Sequence, residues 1–78
     1  MPLIKTTFHE HVDGAFLRAE MRDPVSGERV AWLIHDWVAE LSLLGNHQSV
    51  VKDLANRLGY HGRLTYEGHG ACYTWVVT

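Results

Sequence analysis

Histidine and cysteine side chains are the residues of this sequence best suited to metal or nucleophilic chemistry. His9 and His11 flank Glu10, so on a strand their imidazoles would share one face, about 7 Å apart. His69 and Cys72 add a third imidazole and a thiol. These four side chains carry the nitrogen and sulfur donors that zinc prefers. Because a single cysteine lacks the paired Cys-x-x-Cys spacing of a zinc ribbon, the sequence favours ordinary strand and loop histidines and predicts no metal ligand.

No motif places a nucleophile beside a general base. Cys72 stands among apolar neighbours such as Tyr73 and Trp75, where a free cysteine ordinarily behaves as a small buried apolar side chain. Asp36 and Glu40 fit a solvated helix face, and no glycine-rich phosphate loop precedes a helix. The sequence therefore predicts a protein that is not an enzyme and that carries no cofactor.

Length and charge restrict the class of protein further. The 78 residues, 46% of them apolar, predict a single compact domain over 1–78 with a thin core, too small for a dinucleotide-binding domain. Seven Lys and Arg against nine Asp and Glu give a net charge of −2, and the cations are scattered along the chain, which does not favour direct nucleic-acid binding. One cysteine and no apolar leader or membrane segment predict a cytoplasmic protein in a reducing compartment.

Turn residues divide the first half of the chain into strands. Asp13-Gly14 is typical of a hairpin turn between strands over Leu3–Val12 and Ala15–Arg22. The Asp23–Glu28 segment predicts a second reverse turn, which leads into a third strand from Arg29 to Ile34.

The apolar residues from Val30 to Leu44 fit a helical stripe as well as a strand, so periodicity alone leaves the state of Val30–His35 open. Asp36 is a good N-cap residue, and placing the change there predicts a strand followed by a helix over Trp37–Leu44. Gly45-Asn46 would then end that helix.

A second helix is predicted over Gln48–Leu58 with Gly59 as its C-cap, followed by strands over Arg63–Glu67 and Ala71–Val77 around a turn at Gly68–Gly70. The expected fold is α+β: an antiparallel sheet of about five strands with two helices packed on one face, in the order β-β-β-α-α-β-β. The predicted core comprises Leu3 or Ile4, Phe8, Leu17, Ala19, Trp32, Ile34, Leu41, Leu44, Val51, Leu54, Leu58, Tyr73, Trp75 and Val77.

In overall character, with the Asp13-Gly14 turn, the Asp23–Glu28 turn and the closing aromatic strand Cys72-Tyr73-Thr74-Trp75, the chain resembles the small anti-CRISPR proteins of phages and mobile elements. The resemblance implies a non-catalytic inhibitor in the host bacterial cytoplasm. Such an inhibitor binds a larger protein or ribonucleoprotein, a CRISPR effector, and blocks target-DNA binding or nuclease recruitment.

Under that hypothesis, carboxylates would face basic effector surface and aromatic side chains would anchor the contact. The predicted partner-binding residues are Glu10, Asp13, Glu20, Asp23, Glu28, Trp37, Tyr66 and Glu67.

Three alternatives stay open. The first is a nucleic-acid-binding regulator that uses Lys52 and the Arg57–Arg63 region, and the second is a metal-binding module of His9, His11, His69 and Cys72. The third is a homodimer, because a thin core with three Trp gains from a second copy.

Overall fold

One antiparallel sheet of five strands and one helix form the fold of residues 3–78, the part of the chain that the computed structural model describes. The sheet order is β3-β2-β1-β5-β4. The predicted α+β class and five-stranded antiparallel sheet are confirmed, in the order βββαββ. The elements are β1 (Leu3–His11), β2 (Gly14–Arg22), β3 (Arg29–Asp36), α1 (Leu43–Arg57), β4 (Leu64–His69) and β5 (Cys72–Val77).

The prediction of two helices is wrong. Residues 37–42 are irregular, and α1 begins at Leu43 with Ser42, not Asp36, as its N-cap. The Ser42 hydroxyl accepts the Gly45 N–H at 2.9 Å, and a Cβ at Gly45 would lie only 3.2 Å from that oxygen. Gly45-Asn46 therefore belongs to the first turn of the helix and does not end a preceding one.

The Asn46 side chain organises the irregular segment before α1. Its Oδ1 accepts the Val38 N–H at 2.8 Å, and its amide nitrogen lies within hydrogen-bond distance of three carbonyl oxygens, those of Val38, Leu41 and Ser42. The side chain is buried, so these bonds form without competition from water. They hold residues 38–42 in a tight loop where the sequence pattern predicts a helix.

The strand interpretation of Val30–His35 is confirmed, since β3 runs from Arg29 to Asp36. The apolar residues of this strand fall on both faces of the sheet, and this is why they also fit a helical stripe. Leu33 faces the helix, whereas Trp32 and Ile34 face away from it and are exposed. Leu41 is exposed as well, so the prediction that these three residues belong to the core is wrong.

The core lies between α1 and one face of the sheet. Val50, Val51 and Leu54 of the helix pack with Ile4 and Leu17 of the sheet, all of them buried. The contacts of α1 with the sheet are mainly to β1, β2 and β3. Beside the helix, on the same face, the aromatic rings of Tyr66, Tyr73 and Trp75 pack against one another over β4 and β5. The α1 helix ends at Arg57 with Leu58 as its C-cap, and the next residue, Gly59, has the predicted left-handed conformation with a φ of 80°.

A buried chain of polar side chains links the two halves of this core. The Trp75 indole N–H donates to Thr6 Oγ1 at 2.8 Å, and Thr6 Oγ1 lies 2.7 Å from His47 Nδ1. His47 Nε2 is 3.2 Å from the Gly70 carbonyl oxygen, which can only accept. In the neutral form of His47 the proton therefore lies on Nε2, and Nδ1 accepts the Thr6 hydroxyl proton. Each side-chain nitrogen and oxygen of Thr6, His47 and Trp75 therefore has a hydrogen-bond partner.

No helix among residues 3–78 is both long enough and apolar enough to cross a membrane.

Burial lowers the pKa of His47, which makes stability depend on pH. The unfolded chain, with an ordinary histidine pKa near 6.5, takes up a proton before the folded protein does. The free energy of unfolding is therefore expected to be highest above about pH 6.5 and to fall below it, by at most about 1.4 kcal/mol per pH unit for one proton. Urea titrations between pH 4.5 and 8 measure this dependence. His47→Gln should make this dependence shallower but not abolish it, because the pKa of His9 is lowered as well. His61→Gln, at an exposed histidine, is the control and should keep the steeper slope; equal slopes in the two variants would contradict the assignment.

Asn46→Ala should cost about 2 kcal/mol of stability, because it removes the hydrogen bonds that this buried side chain makes with the backbone of residues 38–42. Asn56→Ala is the matched control, since Asn56 is exposed on the same helix and undergoes the same change in helix propensity. Chemical denaturation of both variants measures the difference. Equal stabilities would show that the Asn46 side chain does not hold the loop.

Candidate binding face

The sheet face opposite α1, here called the open face, is the candidate functional site. The strand register places Lys5, Glu20 and Trp32 side by side across β1, β2 and β3, on the side away from the helix. No second helix exists among residues 3–78 to cover this face. By register it comprises Leu3, Lys5, Thr7, His9, His11, Phe16, Arg18, Glu20, Arg22, Arg29, Trp32, Ile34, Asp36, Thr65, Glu67, His69, Cys72, Thr74 and Val76.

Large apolar side chains lie exposed on the open face. The exposed fractions are 52% for Trp32, 44% for Ile34 and 52% for Leu3. A groove of about 750 Å³ is lined in part by Leu3, Glu20 and Val30 at the end of the sheet where β1 begins. Trp32 and Ile34 lie on β3, which is an edge strand of the sheet. Two of these three exposed apolar side chains therefore lie along this edge, and Leu3 lies on the central strand β1.

The open face also collects cations that are scattered in the sequence. Four of the seven Lys and Arg residues lie on it: Lys5, Arg18, Arg22 and Arg29. Glu20 pairs with two of them, since its carboxylate oxygens lie 2.9 Å from Arg22 Nε and 3.8 Å from Arg29 Nη1. The Arg29 guanidinium also sits 5.1 Å from the centre of the Trp32 ring, a cation–π contact that helps to fix the orientation of the indole.

A sandwich of rings closes the other end of the open face. The Phe16 ring lies between the imidazoles of His9 and His11, with centroid distances of 4.9 and 5.3 Å and nearly parallel planes. His9 Nε2 is hydrogen-bonded to the Thr7 hydroxyl at 2.8 Å. Burial, together with the nearby charges of Arg18 and His11, lowers the pKa of His9. This end of the face therefore presents three stacked rings.

The structure does not bring the predicted carboxylates together into one array. Glu10 and Asp13 lie at the β1–β2 hairpin end, and Asp23 and Glu28 lie in the β2–β3 turn at the opposite end. Asp23 Oδ1 accepts the backbone N–H groups of residues 25 and 26, the Ser26 bond being the larger cause of its lowered pKa. The Asp23 carboxylate is thus already engaged in shaping its own turn.

Of the six predicted carboxylates, Glu20 and Glu67 lie on the open face, and Glu20 is held by its two arginine partners. The predicted anchors lie elsewhere. Trp37 is half-buried and meets Phe8 edge-on at 5.4 Å, and Tyr66 is exposed on the helix side of the sheet beside Trp75.

Trp32 is the exposed aromatic residue on the open face that sequence reasoning missed, since it was assigned to the core. Side chains alternate between the two faces along β3, so Leu33 and Trp32 cannot both face the helix, and one of the two must be exposed. Only knowledge that a single helix covers the sheet decides which of the two is exposed.

The structure also shows where the residues of the metal-binding and nucleic-acid-binding alternatives lie. Within residues 3–78 no three His, Cys, Asp or Glu side chains are arranged to hold a metal ion. Cys72 is exposed opposite Thr7, so the prediction that it is a buried apolar side chain is wrong. Arg57 forms an ion pair with Asp53. The Asp53 carboxylate lies 3.3 Å from Arg57 Nε and 2.8 Å from His35 Nε2. The His35 hydrogen bond is the main cause of the lowered pKa of Asp53.

Comparison with known proteins found no matching family model, no matching curated protein and no matching solved structure.

Two tryptophan substitutions test the distinction between the open face and the core. In dilute protein, Trp32→Thr should change the free energy of unfolding by about 1 kcal/mol or less, because threonine suits a strand and the indole is half-exposed. Trp75→Phe should cost about 2 kcal/mol or more, because it opens space in the core and removes the indole donor to Thr6. Urea denaturation of both variants measures the difference, and a larger loss for Trp32→Thr would place that side chain in the core.

Proposed function

We propose that this protein acts without catalysis, by binding a larger protein or ribonucleoprotein through its open face. The observation that carries the proposal is the exposed Trp32 and Ile34, set beside four cations on a sheet face that α1 does not cover. Exposed tryptophan and arginine are the residue types most enriched at the centres of protein interfaces. The Arg29–Trp32 contact orients the indole before binding, and this lowers the conformational cost of association.

The charge of the open face favours a partner surface that is acidic around an apolar patch. Lys5 and Arg18 have no carboxylate partner within salt-bridge distance among residues 3–78, whereas Arg22 and Arg29 share Glu20. Cations left free in this way steer an acidic partner and add specificity at the rim of the contact. The proposed binding residues are therefore Trp32, Ile34, Lys5 and Arg18, in place of the carboxylate set expected from the sequence.

For the class of partner, we propose a CRISPR effector, on the basis of the overall resemblance to anti-CRISPR proteins. Within such a complex the protein would occupy the surface used for target DNA or for nuclease recruitment. The function would then be stoichiometric inhibition, with one bound copy sufficient to block an effector.

The test is direct titration of purified effector complexes of several types with the full chain. We expect binding to one of them and a matching loss of target-DNA binding or cleavage at near-equal stoichiometry. Trp32→Thr should weaken binding at least about tenfold, as is typical of a truncated interface hot spot. Arg18→Gln should weaken it less and reduce its sensitivity to salt.

The matched controls are Tyr66→Thr and Lys52→Gln, which remove an exposed aromatic ring and an exposed cation away from the open face. Both should bind like the unchanged protein. If no effector binds, the proposed class of partner is wrong. If an effector binds and Tyr66→Thr, but not Trp32→Thr, abolishes the complex, the open face is not the site.

A second candidate function, single-stranded nucleic-acid binding, is favoured by the same cations lying beside an exposed indole. Bases stack on aromatic side chains while cations contact the phosphates. Fluorescence anisotropy with labelled DNA and RNA oligonucleotides at two salt concentrations tests it. Binding that weakens steeply with salt, and less steeply in Lys5→Gln than in Lys52→Gln, would support nucleic acid as the ligand.

A further inference from the structure

The outer edge of β3 carries unpaired backbone hydrogen-bonding groups. The Trp37 N–H donates inward to the Ala15 carbonyl oxygen of β2 at 3.0 Å. Because the direction of the backbone groups alternates along a strand, the N–H and C=O groups of Trp32 and Ile34 point outward, away from β2. Within residues 3–78, no hydrogen bond from a loop, a helix or a side chain reaches these outward groups.

This edge lacks the protection that natural sheets ordinarily give their edge strands. Over residues 31–34 the sequence is Ala-Trp-Leu-Ile, with no lysine, proline or glycine. The register shift between Met21 and Arg22 affects only the Arg29 end of the strand. The other edge strand, β4, is shorter and contains Glu67 and Gly68. An extended strand can therefore add to the sheet at β3.

We infer that β3 pairs antiparallel with β3 of a second copy of this chain, which joins two sheets into one of ten strands. A two-fold axis through Leu33 sets Trp32 opposite Ile34 of the second copy, and the reverse. That register makes hydrogen-bonded pairs of the outward backbone groups and gives two apolar cross-strand contacts on the open face.

Charge favours a second copy over an unrelated peptide. β3 begins with Arg29 and ends with Asp36, so antiparallel pairing with itself brings opposite charges together at both ends. In the register through Leu33, Asp36 lies beside Val30 of the second copy, one residue from its Arg29. The contact is self-complementary, as a two-fold interface requires.

The axis is perpendicular to the sheet, so both helices lie on one side of the dimer and both open faces lie on the other. Trp32 and Ile34 of the two copies then form one patch at the centre of a doubled open face. An edge contact of this kind is smaller than the roughly 800 Å² per protomer of a standard stable interface, so the dimer is expected to be reversible on dilution.

Sedimentation of the full chain over a concentration series tests the inference. The mass should rise from one chain to two between about 5 and 500 µM. Ile34→Lys, which puts a charge on the proposed edge, should remain monomeric throughout, with an unchanged circular dichroism spectrum. Thr65→Lys places the same charge on the open face of β4, the opposite edge strand, and should dimerise normally.

Disulfide trapping tests the register. In a Cys72→Ser background, Leu33→Cys should cross-link on mild oxidation, because residues that face each other on the axis lie within disulfide reach. Ile34→Cys should cross-link poorly, since two such residues would be offset along the strands. A chain that stays monomeric at the highest concentration, or a dimer that survives Ile34→Lys, would overturn the inference. Efficient trapping only at Ile34 would overturn the register.

Discussion

A single helix must cover one face of a five-stranded sheet, and the rest of the structure depends on that constraint. A helix of 15 residues is about 22 Å long and about 10 Å wide, enough for two or three strands. Accordingly α1 packs mainly on β1, β2 and β3. Over β4 and β5, the aromatic rings of Tyr66, Tyr73 and Trp75 cover the sheet instead. The Trp75–Thr6–His47 hydrogen bonds then join the aromatic part of the core to the helical part, so that the two parts form one interior.

The same constraint leaves the opposite face uncovered, because the only helix among residues 3–78 is already used. Hairpins connect the first three strands, but the sheet order puts β1 at the centre of the sheet and β3 at an edge. Residues of β3 thus have a half-covered inner face, an uncovered outer face and an unpaired backbone edge. An apolar side chain there, such as Trp32, is therefore uncovered both on the open face and along the outer edge of the sheet. Concentrating apolar side chains at this position favours association more than it favours stability of the isolated chain.

Much of the fold follows from local chemistry that the sequence displays openly. The Asp13-Gly14 turn, the Asp23–Glu28 turn and the Gly59 cap each require particular backbone conformations, and the elements they bound were predicted correctly in type. The segment after β3 could not be predicted in this way. Its conformation depends on four hydrogen-bond contacts from Asn46, a residue that by itself predicts a helix end. There the hydrogen bonds of one buried side chain, four to eight residues further along the chain, override local propensity.

The candidate site was less predictable than the fold because it is defined by register. Lys5, Arg18, Arg22 and Arg29 are far apart in sequence, and only the pairing of β1 with β2 and of β2 with β3 gathers them on one face. Three carboxylates, those of Glu20, Asp36 and Glu67, share this face, whereas Glu10, Asp13, Asp23 and Glu28 lie at the two ends of the sheet. A net charge of −2 therefore conceals a face on which cations outnumber carboxylates. For a sheet protein of this size, composition averages over two faces that are chemically different, and it is the arrangement on each face that determines which partner can bind.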